Sequence, residues 1–114
     1  MKRVDTLLEE SLENWSFARN GTIDELRNIP ESALGYQPSE ASRTIVALVH
    51  HVLESGLLMS GELSRPDGDF RRKSYERLLR EHGRGVAGKR SKRELLEALR
   101  RTHRQGAEKL RRAG

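Results

Sequence analysis

Four histidines are the residues of this 114-residue chain best suited to chemistry. His50 and His51 stand side by side in its most apolar run, TIVALVHHVLESG, at residues 44–56. Neutral imidazole is the commonest nitrogen ligand for divalent metals, so a histidine facing inward from such a run is a candidate ligand. Adjacent residues on a helix point about 100° apart, so the two rings cannot serve one target. On a helical wheel both flank the apolar arc. Periodicity therefore does not choose between them, and on periodicity alone both read as boundary histidines bonded to a backbone group or a carboxylate. Glu54 follows His50 by four residues and His51 by three, placed to orient either ring. His103 lies on the apolar stripe Leu95, Leu96, Leu99, His103, Ala107, Leu110 and is the best-placed partner by geometry. Its simpler reading is a core-edge ring with one hydrogen bond. His82 reads as a helix-end residue favoured by the macrodipole. No H-x-x-x-H or H-E-x-x-H spacing occurs. A three-histidine site has to be assembled from several helices or from two chains.

Other chemistries are excluded more firmly. With no cysteine there is no disulfide, no thiol nucleophile and no Cys-based zinc site. The glycine-rich GRGVAGKRS follows no strand and lacks the G-x-x-x-x-G-K-[ST] phosphate loop, so it reads as a flexible connection. No serine sits in a nucleophile elbow. Residues 1–70 hold 6 Lys/Arg against 12 Asp/Glu, whereas residues 71–114 hold 16 against 5. The basic half attracts nucleic acid, an acidic surface, or the acidic half of the same or a second copy. Arg93, Arg100, Arg101, Arg104, Arg111 and Arg112 share the outer face of the last helix. That helix offers no aromatic residue to stack on bases, so a solvated surface is the favoured reading and nucleic-acid binding is not expected.

The elements that position these residues are all helical. Leu, Glu, Lys, Arg and Ala dominate, with 34% hydrophobic and 34% charged residues. A first helix is expected over residues 5–28, with Val4, Leu8, Leu12, Trp15, Ile23 and Leu26 in phase. Asn20-Gly21 and the capping-box sequence TIDE (22–25) mark a possible break, but the stripe keeps its phase and favours continuity. Pro30 ends the helix. A second helix over 40–61, capped by Ser39 or Ser42, is apolar nearly all round and so central in a bundle. Pro66, Asp67 and Gly68 form a turn. A short helix over 73–82 turns Tyr75, Leu78 and Leu79 inward. SKRE at 91–94 is a capping box that opens the last helix. The expectation is a single all-α domain over 1–114, an up-and-down bundle of three long helices and one short one. Three long helices leave an uncovered apolar seam, which makes a homodimer the firmest expectation. The acidic start, MKRVDTLLEESLENW, is no signal peptide and no run spans a membrane, so a cytoplasmic location is expected.

The segment ELRNIPESALGYQPSEASRTIVALVHHVLESG resembles the N-terminal half of the DinB/YfiT-like superfamily. The shared features are the Ile29-Pro30, Leu34, Pro38 connector, the Thr44-Ile45 helix start and the His51-Val-Leu-Glu-Ser segment. SKRELLEALRRTHRQGAEKLR is similar to that family's third long helix. The resemblance implies a four-helix bundle, often dimeric. It also implies a zinc or nickel ion on one histidine of the second helix and an H-x-x-x-H pair of the fourth. Members with known activity are thiol S-transferases and related metal-dependent enzymes. Only His51 carries over, because the last metal-ligand helix has no counterpart in this chain. The chain is then either part of a longer protein or a shortened member that completes its bundle with a second copy. In the second case His51 and His103 are the metal ligands that two copies bring together. The readings carried forward are a DinB-like metal-dependent enzyme or its degenerate relative, a non-enzymatic dimerisation module, and, last, a nucleic-acid binder.

Overall fold

A computed structural model describes residues 3–66 and 73–113. Among these, four α-helices and no strands occur: α1 (Arg3–Arg27), α2 (Ile45–Leu63), the short α3 (Tyr75–Gly83) and α4 (Lys92–Ala113). No helix is long and apolar enough to cross a membrane.

Helix α1 runs unbroken through Asn20-Gly21. Thr22 caps nothing; its hydroxyl donates back to the Ala18 carbonyl at 3.2 Å. The last turn closes through Asn28 and Ile29 amides on the Glu25 and Leu26 carbonyls, and Pro30 then takes an extended conformation. One 3-10 turn, Glu31–Ala33, follows.

Helix α2 starts later than the sequence suggested. Gln37 Nε2 donates to the Glu40 and Ser42 carbonyls, and the Ser39 and Ser42 hydroxyls bond each other. These contacts hold residues 37–42 in a turn of their own. Thr44 is the cap, its hydroxyl accepting the Ala47 amide at 3.1 Å. The Ile45 and Val46 amides donate to Tyr36 and Leu34 carbonyls, so the free N–H groups of the first turn are satisfied by the connector. The helix also runs past Gly61 to Leu63.

Helix α3 is capped by Ser74. Leu78 is buried, but Tyr75, expected inside, is exposed, as is Tyr36. Of the turn expected at 66–68, Asp67 and Gly68 lie outside the described residues. The glycine-rich stretch is more than a flexible connection. It makes a 3-10 turn, Arg84–Val86, that buries Val86, and its Lys89 carbonyl accepts from His50.

The capping box of α4 forms as expected. Glu94 Oε1 accepts from the Arg90 and Ser91 amides and the Ser91 hydroxyl, which in turn accepts the Glu94 amide. Those backbone donors hold the Glu94 carboxyl below the usual carboxylate range. Ser91→Ala is expected to cost about 1 kcal/mol in urea denaturation.

Contacts fix the directions. Arg111 meets Glu9, Arg19 meets Leu99, and Lys92 meets the Arg27 carbonyl, so α4 runs antiparallel to α1. Gly106 lies against Ser60, and Lys89, just before α4, against His50, so α4 runs parallel to α2. Helix α3 carries the chain back between them. It is clipped to α2 by His82, whose Nε2 donates to the Glu62 carboxylate at 2.7 Å, and by Gly83 packed under Glu54. Glu62 is fully buried and also meets Arg65 at 3.8 Å. The main core sits toward one end of the bundle: Ile23 and Leu26 from α1, Val49 and Leu53 from α2, Leu95 and Leu99 from α4. Helix α4 packs on both α1 and α2, which make few contacts with each other.

Candidate functional site: an apolar groove with a buried cation

Between α1 and α2 lies a groove of about 840 Å³, with Leu110 and Ala113 of α4 at one end. One wall comes from Leu8 through Leu12, Trp15 and Arg19 to Thr22 of α1; the other runs from His51 to Leu63 of α2. Met59 and Leu63 stand half-exposed on the α2 side.

Trp15 organises the middle. Its ring reaches across to α2 and α4 because both present glycine there. A Cβ on Gly56 would lie 3.5 Å from the Trp15 ring, and one on Gly106 would lie 2.8 Å from it. The ring also meets His103 edge-on, with centroids 4.4 Å apart and planes at 75°.

One turn further along α1, Arg19 occupies a position that the stripe Leu12, Trp15, Ile23, Leu26 assigns to the core. It is only 3% exposed. Its Nη1 donates to the Leu99 carbonyl at 2.8 Å and the Thr102 hydroxyl at 3.1 Å. Its Nη2 reaches the α2 wall, 2.6 Å from where a Gly56 Cβ would stand. The guanidinium lies 5.7 Å from the Trp15 ring centre, within cation–π range. Burial lowers its pKa below the ordinary arginine value. Among the described residues, no Asp or Glu lines the groove.

The histidines separate by role. His50 is buried and bonded to the Lys89 carbonyl at 2.6 Å. A carbonyl only accepts, so Nε2 carries the proton and His50 ties the glycine-rich stretch to α2. His82 clips α3 to α2 and so is more than a helix-end residue. His51 lines the groove. His103 lies beside Trp15, and its Nδ1 is buried without a hydrogen-bond partner among the described residues. Glu54 bonds neither His50 nor His51; its chain lies over Gly83.

A structural or catalytic zinc takes three or four protein ligands. Among the described residues no group of three His, Cys, Asp or Glu converges to hold a metal. Arg19 and Arg111 add positive charge around His103. Among the described residues of one chain, therefore, no set fits a metal centre.

Burial first, then the charges of Arg19 and Arg111, hold the His103 pKa below 6.5. A histidine depressed in the folded state contributes stability above its unfolded pKa and loses it as pH falls through the folded one. Acidification from neutral pH is therefore expected to lower the midpoint of urea denaturation, beginning near pH 6.5. His103→Phe is expected to flatten that part of the profile.

No sequence motif singles out Arg19 or Glu62. A visible signal existed for Arg19, a charge in phase with an apolar stripe. Glu62 fell one residue beyond the expected end of the second helix. No protein-family model matches this chain, and no curated protein and no solved structure matches it either.

Proposed function

We propose that this protein is a DinB-like helical bundle that works as a non-enzymatic pairing module, covering the α1–α2 groove with a second copy. The observation that carries the reading is the groove itself. Two long helices make few contacts with each other and leave apolar side chains open to solvent, with Met59 and Leu63 each about half exposed on one side. Surfaces of this kind mark interaction sites. The DinB-like reading rests on the connector and helix-start residues and on the all-helical order of elements. In it, His51 is the one residue that carries over from the family's metal site.

Sedimentation at rising concentration tests the pairing. A dimer is expected, and Leu63→Glu combined with Met59→Glu is expected to return it to monomer. A clean monomer at high concentration would sink the proposal. Equilibrium dialysis against zinc and nickel tests the other half. No stoichiometric uptake is expected; uptake of one ion per chain or per dimer, lost in His51→Ala, would replace this reading with a metal-dependent one.

A further inference from the structure

A guanidinium taken out of water without a carboxylate is an uncommon arrangement. Buried charges are ordinarily paired, because desolvating them costs several kcal/mol, on the order of a whole domain's margin. Arg19 has five N–H bonds to place. Nη1 uses its two on Leu99 and Thr102, both neutral acceptors. The bonds on Nε and Nη2 have no acceptor among the described residues, and Nη2 lies where the two walls of the groove approach each other at Gly56. Beyond it, the groove runs along α1 from Arg19 to Leu8, about 16 Å at the helical rise. That stretch is walled mainly by Leu8, Leu12, Trp15, Leu63 and Leu110, with no acid lining it among the described residues.

We infer that the groove binds an aliphatic monocarboxylate, its head on Arg19 and its chain along the leucines toward Leu8. Three features select that class. A guanidinium offers paired N–H donors that match a carboxylate. A single cation neutralises a single negative charge, so a dianionic phosphate head would leave charge unpaired in an apolar site. The walls past Trp15 supply hydrocarbon contacts for an unbranched chain. The volume, about 840 Å³, lies in the range of small-ligand sites. Leu63 walls the chain end of this channel and also carries the pairing proposal, so the two share one groove; the dodecanoate titration reads Trp15 and sedimentation reads pairing, and each can fail without the other.

The chain's single tryptophan is its own reporter, because Trp15 lines the groove between head and tail. Dodecanoate and dodecanol, both below micelle-forming concentrations, are titrated against the native protein while Trp15 emission is followed. Dodecanoate is expected to give a saturable change at one site per chain, with dodecanol at least tenfold weaker. Arg19→Met is expected to remove that difference, with circular dichroism confirming that the variant is helical. Equal binding of the acid and the alcohol by the native protein would overturn the proposal without recourse to any variant. So would the absence of saturable binding by either, or tighter binding of dodecyl phosphate than of dodecanoate.

Discussion

His82→Ala is expected to destabilise the protein by about 3 kcal/mol, the upper end of the range for leaving a buried acceptor without its donor. Glu62 is 0% exposed, and the His82 ring N–H donates to its carboxylate at 2.7 Å. Without the ring, that carboxylate stays buried and loses a charge-assisted donor. Arg65 meets the same carboxylate at the longer distance of 3.8 Å, with its side chain about a third exposed. The ring also fills space made for it: a Cβ on Gly61 would stand 2.6 Å from His82 Nδ1. Urea denaturation should show a lower midpoint with an unchanged slope. The second half of the expectation concerns the pair. Glu62→Leu with His82→Leu should recover most of the loss, because an apolar replacement of a buried pair is often neutral or better. A double variant as unstable as His82→Ala would show that the pair does more than satisfy itself.

The second large effect is expected from Gly106→Leu, at about 2–3 kcal/mol. A Cβ there would meet Trp15 at 2.8 Å and the Ser60 hydroxyl at 3.0 Å, so the clash falls on α1 and α2 at once. Ser60 has little room to turn, being buried and donating to the Gly56 carbonyl at 2.9 Å. Trp15 is the group that moves, and its emission should shift to the red along with the loss of stability. Gly21→Ala is the matching control. Nothing lies within 4 Å of its added Cβ and the residue is helical, so alanine is expected to stabilise by roughly 1 kcal/mol. Opposite signs at two helical glycines would show that contact, more than propensity, sets the first.

What could be read from the sequence divides along the line between local and distant interactions. The Ser91–Glu94 box depends on four consecutive residues and forms as written. The continuity of α1 through Gly21 followed from the phase of its stripe. The start of α2 did not, because Ser39, Ser42 and Thr44 all suit a cap, and the choice was made by Gln37 tying down the turn before it. The two central histidines look equivalent on a wheel. What separates them is a carbonyl 39 residues away at Lys89. Arg19 is the reverse case: its charge in an apolar stripe was legible, but its acceptors lie 80 and 83 residues further along the chain. No local pattern supplies partners at that separation.

The same long separations set an order of assembly. Helices α2 and α3 are close in sequence and joined by the His82–Glu62 contact, so they can associate early. Helix α1 packs chiefly through α4, and its Glu9 meets Arg111 across 102 residues. Closing so long a loop carries an entropic cost before any contact offsets it. During synthesis the apolar side of α1 therefore leaves the ribosome first and finds its main partner last. A chain built this way should refold more slowly than helical bundles whose neighbours in space are neighbours in sequence, and α1 is the segment a chaperone would hold in the interval.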